Sequence, residues 1–126
     1  NNNSNLLDDY EEGTFYATTN NDGVGNQILS KYTKIGRVVT YTIYFSGISH
    51  TAAGTAIIAG FPFTAIISEG YGQGNITHST SVLNASGGYN SSTNWYGTLN
   101  NSTSQATWSV GTNKAIMVSG FYYTTA

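Results

Sequence analysis

Apolar and polar residues alternate with a period of two along most of this chain, and no stretch follows the 3.6-residue period of an amphipathic helix. The clearest run is residues 37–48. Val39, Tyr41, Ile43 and Phe45 share one face there, and Val38, Thr40, Thr42 and Tyr44 share the other. The first face is the more apolar and is assigned to the core. Further strands are predicted at residues 14–19, 31–35, 55–59, 64–68, 76–83, 94–99, 105–110 and 115–123. Polar stretches rich in Gly, Asn and Ser at residues 20–26, 69–75 and 85–93 read as loops, and residues 1–5 as a loose terminus. Gly36 marks a bend or bulge before the long strand. Pro62 has no N–H to donate, so residues 61–63 must leave any ladder. About eight or nine short strands joined by turns predict an all-β chain, an antiparallel β-sandwich of jelly-roll type.

Composition narrows the functional classes. At 126 residues the chain has room for one core, and only 8% of it is charged, against about 25% in an ordinary soluble domain. The four cations, Lys31, Lys34, Arg37 and Lys114, form no cluster. A nucleic-acid surface needs such a cluster to displace counterions, so that partner is excluded. No apolar run approaches the ~20 residues of a membrane span, and membrane insertion is not expected. Without cysteine there is no disulfide and no thiolate metal site. A small domain with no covalent staple gains stability by burying surface between copies, and low charge suits such an interface. Oligomerisation is therefore expected.

Charge is also unevenly placed. Asp8, Asp9, Glu11 and Glu12 lie together near the start, and the other acids are Asp22 and Glu69. Residues 1–13 are read as a lead-in segment joined to an upstream region, and residues 14–126 as the β-domain. Tyr10 and Phe15 are expected to anchor the lead-in, leaving its carboxylates solvated or paired with Lys34 or Arg37. A glycoside hydrolase needs two opposed carboxylates, and neighbouring Glu11 and Glu12 point to opposite sides of an extended chain. Glu69 has no evident partner, and Ser30, Ser46 and Ser79 lie in no Gly-x-Ser-x-Gly elbow. No catalytic residue and no cofactor are expected. The Asn-Asn-Asp run at residues 20–22 is a turn rather than a calcium loop. His50 and His78 read as polar surface, with a metal on a threefold axis as the alternative.

Sugar recognition fits the composition better. A saccharide presents apolar C–H faces and hydroxyl edges, so its site pairs aromatic rings with Asn, Gln or Ser. Three places qualify: Tyr71 with Gln73 and Asn75, Tyr89 with Asn90, and Trp95 with Asn94 and Tyr96. The seven of these other than Tyr96 are taken as candidate ligand-binding positions, carried on loops or strand edges. Trp108, set in a regular alternation, is assigned instead to the core or a subunit interface. The Asn-x-Ser/Thr triplets at Asn75, Asn84, Asn90 and Asn101 are given no role.

Three segments carry a resemblance. Leu7-Asp8-Asp9-Tyr10-Glu11-Glu12-Gly13-Thr14-Phe15 resembles the start of the C-terminal domain of many bacteriophage tail-fibre and tail-spike proteins. Tyr32-Thr33-Lys34-Ile35-Gly36-Arg37-Val38-Val39 is similar to a second element of that domain, and Ile58-Ala59-Gly60-Phe61-Pro62-Phe63-Thr64 to a third. They occur in the family's order and cover the first half of the chain. The resemblance implies an all-β homotrimer at the distal end of a virion's tail fibre, attached to an upstream fibre region and contacting the host. A host-surface glycan is the expected ligand. Two alternatives stand beside it: a module that caps and registers a trimeric fibre without a ligand, and a piece of a polysaccharide-degrading tail spike.

Overall fold

A computed structural model of the chain describes residues 9–20, 24–82, 84–100 and 104–125. The loose terminus at residues 1–5, Asp8 of the acidic opening, the Asp22 turn, Asn101 and the side chain of Glu69 lie outside what is described. Nine strands form: β1 (Tyr10–Thr14), β2 (Thr18–Thr19), β3 (Val24–Ile35), β4 (Val38–His50), β5 (Ile57–Ala59), β6 (Gly72–Ser79), β7 (Gly87–Ser91), β8 (Asn94–Thr98) and β9 (Gly111–Tyr123). A single 3₁₀ turn, Ile67–Glu69, accompanies them.

All nine belong to one antiparallel sheet in the order β1-β3-β4-β9-β6-β7-β8-β5-β2. Its two edges, β1 and β2, are separated along the chain by residues 15–17 alone. Four residue steps reach at most about 14 Å, so the sheet must curl until its edges approach each other across that link. The product is a curled half-barrel. One continuous sheet thus replaces the two facing sheets expected of a sandwich or jelly-roll, and its concave side holds the core.

The alternation read in β4 is what the structure shows. Val39, Tyr41, Ile43 and Phe45 are buried, together with Ile48, while their even-numbered neighbours face outward. Gly36 and Arg37 form the two-residue turn between β3 and β4, with Gly36 at φ +60°, a conformation a side chain would strain. Ile116, Val118 and Tyr122 of β9, Ile58 of β5 and Trp95 of β8 complete the main concave surface.

Between β9 and β8 that surface is almost free of side chains. One register row runs Tyr41, Gly120, Gly74, Gly88, Gly97 across five strands. The indole of Trp95, fully buried, lies over this row. A Cβ on Gly74 would overlap the Tyr41 hydroxyl and stand 2.7 Å from the indole nitrogen, and one on Gly88 would stand 2.8 Å from the indole ring. Trp95 Nε1 donates to the Gly74 carbonyl at 3.3 Å. Glycine in a strand interior marks a tight bend or a close approach, and here it marks both.

These glycines explain where local propensity misleads. Residues 72–75 and 87–91, expected in loops, are β6 and the whole of β7. Thr64 to Ser68, expected as a strand, is an isolated bridge at Ala65 followed by the 3₁₀ turn. Residues 105–110 contribute isolated bridges in place of a continuous strand.

Pro62 takes its segment off the ladder, as its missing N–H requires. The two flanking rings then close one end of the half-barrel. Phe61 lies edge-on to Tyr41 at 4.8 Å and to Tyr122 at 5.8 Å, and 5.4 Å from Phe15. Phe63 meets Tyr32 edge-on at 5.4 Å, beneath the Lys34 ammonium at 5.7 Å. Phe15 anchors the start of the domain in this way. Tyr10 does not: β1 parity turns it to the convex side, 51% exposed. The acidic pair is held by phenols. Tyr32 donates to Glu11 at 2.6 Å and Tyr10 to Glu12, while Glu11 stands opposite Lys34 in register. Those carboxylates raise both phenol pKa values, in each case chiefly through the hydrogen bond.

Candidate functional site

The convex face of β6, β7 and β8 carries what the concave face lacks. Opposite the glycine row, one register step away, the order is Phe121, Gln73, Tyr89, Tyr96. Strand parity requires this: if Gly74, Gly88 and Gly97 point inward, their neighbours point outward. Tyr89 and Tyr96 stack at 5.2 Å with 17° between their planes. Tyr71, just before β6 and 57% exposed, meets Tyr89 edge-on at 5.3 Å. Tyr123 lies edge-on to Phe121 at 5.8 Å and extends the aromatic surface along β9.

Two amides fix the phenols. Gln105 Nε2 donates to the Tyr89 hydroxyl and Asn94 Nδ2 to the Tyr96 hydroxyl, each at 3.1 Å. A phenol oxygen that accepts in this way keeps its own hydrogen to donate, and each amide keeps its carbonyl oxygen to accept. The face therefore offers apolar ring surface bordered by paired donors and acceptors. That is the complement of a sugar ring, with its C–H face and its hydroxyl edge.

Of the seven residues chosen from sequence, Tyr71, Gln73, Asn75, Tyr89 and Asn94 lie on this side of the sheet, all on or beside strands rather than on loops. Asn90 and Trp95 do not. They pair with each other in register and point into the core, Trp95 fully buried and Asn90 accepting from the Tyr41 hydroxyl at 2.9 Å. The buried Tyr41 hydroxyl has its pKa raised, first by desolvation. The physical reason is strand parity: Asn94 and Tyr96 can face outward only if Trp95 faces inward. Tyr96, Gln105 and Phe121 replace them as members of the face. Tyr96 was legible by that same alternation, whereas Gln105 arrives through an isolated bridge to Thr98 outside any continuous strand.

A concavity of about 330 Å³ lies over β1 and β3 between Glu12, Thr14, Lys31 and Thr33. It offers one carboxylate, short of the pair that glycoside hydrolysis uses. Trp108 is buried, as its alternation predicts, and donates to Asn20 Oδ1 at 2.6 Å. His50 departs from the surface role expected of it. It is 2% exposed and stacks on Trp108 at 4.6 Å, with no partner for either ring nitrogen. Desolvation, then the Lys114 charge, lowers its pKa. His78 is exposed. Among the described residues, no group of three or more His, Asp or Glu is placed to hold a metal ion. No family model matches the chain, and searches of curated proteins and of solved structures return no match either.

Proposed function

We propose that this chain is a host-attachment module that binds a surface glycan on the convex face of β6–β8 and works as a homotrimer at the tip of a phage tail fibre. The observation that carries the reading is the Tyr71–Tyr89–Tyr96 array, with Gln105 and Asn94 hydrogen-bonded to its phenols. The chain-level support is the ordered resemblance of three segments to tail-fibre C-terminal domains. Their aromatic residues Phe15, Tyr32, Phe61 and Phe63 meet in one cluster, a physical reason for those segments to travel together. Each face binds weakly, and three faces on one rigid trimer gain avidity through effective concentration. Catalysis has no part in this reading.

A second reading, a capping module without a ligand, has its own observation. Tyr10, Ile35 and Val38 form an exposed apolar row across β1, β3 and β4, in register with Tyr123. Such a row suits contact between subunits. Two measurements separate the readings. Mass in solution tests the trimer, and a monomer removes both the trimer and the avidity. Glycan-array binding of wild type against Tyr71→Ala and Tyr89→Ala tests the face, and unchanged adhesion by a still-trimeric double variant would refute the assignment.

A further inference from the structure

We infer that the ligand of this face is an uncharged oligosaccharide lying across the strands, an inference that rests on the glycan reading above. The first ground is charge. From Val38 to Asn113 the chain contains no lysine and no arginine, and β6, β7 and β8 contain no carboxylate either. Sugars bearing carboxylate, sulfate or phosphate are held by guanidinium or ammonium groups, whose charge-assisted bonds are roughly twice as strong as neutral ones. A face with no lysine or arginine gives such a sugar no charge-assisted bond of that kind in exchange for its lost hydration.

The second ground is the hydrogen-bonding character of what is present. Each phenol–amide pair, Tyr89 with Gln105 and Tyr96 with Asn94, offers one O–H donor beside one carbonyl acceptor. A hydroxyl both donates and accepts, so each pair matches a neutral sugar hydroxyl. An ionised group accepts only, and would leave the amide carbonyls facing an acceptor.

The third ground is extent. The row Phe121, Gln73, Tyr89, Tyr96 crosses four neighbouring strands, about 14 Å at the usual strand spacing. Tyr71, beside the row, stands 5.3 Å from Tyr89, and Tyr89 stands 5.2 Å from Tyr96. This is an extended shelf of side chains on flat strand surface, shaped for a chain of sugars rather than for one sugar in a pit.

The test uses the full chain and two panels of tetrasaccharides or longer. The neutral panel holds manno-, malto- and chito-oligosaccharides. The anionic panel holds hyaluronan, oligogalacturonate and sialylated oligosaccharides. Binding is measured by calorimetry at 50 and 500 mM NaCl. The expected result is binding within the neutral panel that changes less than twofold with salt. Tyr89→Phe and Gln105→Leu, which remove one polar group each, weaken it by about threefold to tenfold. Gln73→Lys, which puts a cation in the middle of the row, brings in anionic ligands with salt-sensitive affinity. Salt-sensitive binding of the wild type to the anionic panel would overturn the uncharged class and leave the glycan reading standing. No binding to either panel by a chain that is folded by circular dichroism would overturn the glycan reading itself.

Discussion

Two aromatic clusters stand on opposite sides of the same sheet and are built by opposite rules. The inner cluster, Phe15, Tyr32, Tyr41, Phe61, Phe63 and Tyr122, draws on segments far apart in the chain and closes one end of the half-barrel. The outer cluster, Tyr71, Tyr89 and Tyr96, sits on or beside three adjoining strands, with Tyr71 more than half exposed and Tyr89 and Tyr96 partly so. Rings in the first stabilise by leaving water. Those in the second keep an edge in water, and the Tyr89 and Tyr96 hydroxyls are tied to side-chain amides. An aromatic residue therefore says little about its role until the parity of its strand is known.

The largest test of that contrast is truncation of one ring from each cluster. Phe61→Ala should cost about 3–5 kcal/mol of unfolding free energy, because it empties a closed site. Tyr96→Ala should cost far less, within about 1 kcal/mol, the range for partly exposed residues. Urea denaturation measures both, and equal losses would erase the distinction.

Next in size is a comparison of chain neighbours. Gly74→Ala drives a methyl into the Tyr41 hydroxyl and the Trp95 indole, an overpacking that should cost about 1–3 kcal/mol. Gln73→Ala, one residue earlier and facing outward, should stay within about 0.5 kcal/mol. If both melt alike, the glycine row is not packed as described.

The two faces should also differ in their response to acid. His50 is buried and stacked on Trp108, and its folded pKa lies below the ordinary value of about 6.5. Below that value the unfolded chain takes up the proton first. The stability held by neutral His50 is therefore complete above about pH 6.5 and declines as pH falls, with a slope of at most about 1.4 kcal/mol per pH unit. His50→Phe should flatten the dependence between pH 7 and 5, measured by denaturation at each pH. A slope unchanged in the variant would show that the titration belongs elsewhere.

Smallest in stability and largest in function is Tyr71→Ala. The ring is more than half exposed, so unfolding should move by about 0.5 kcal/mol or less. Glycan binding should fall about tenfold on the proposed reading, the scale of one lost aromatic contact. Loss of stability without loss of binding would invert the assignment of the outer cluster.

Much of the fold was legible. Alternation in β4 named its buried face from Val39 to Phe45, and the two-residue period holds until the register shifts beyond Phe45 turn Ile48 and His50 inward. Pro62 and Gly36 announced a break and a turn through groups they lack. Both β7 and the first half of β6 were hidden, since Gly72, Gly74, Gly87 and Gly88 read locally as loop. Pairing with β9 and β8 makes them strand, with Gly72 packed under Tyr122 and Gly74 and Gly88 under the Trp95 indole. In the site, Tyr71, Gln73 and Tyr89 were found by composition, while Trp95 was misassigned although residues 94–99 read as a strand, because alternation alone does not say which of its two faces is the core. His50 was missed because no local pattern marks a histidine that stacks on a tryptophan from another segment.

The glycine row also separates what these strands contribute to folding from what they present to solvent. On β7 and β8 the core is served largely by one indole and one buried amide, and the other inward positions are occupied by hydrogen atoms. The outward residues are therefore not braced against partners inside. Gln73, Tyr89 and Tyr96 can be exchanged for other side chains with little disturbance to the half-barrel, whereas Gly74, Gly88 and Trp95 cannot. A fold arranged this way lets the outer face vary while the scaffold stays fixed. In a library randomised at all six positions, folded survivors should vary freely at the first three and keep the last three.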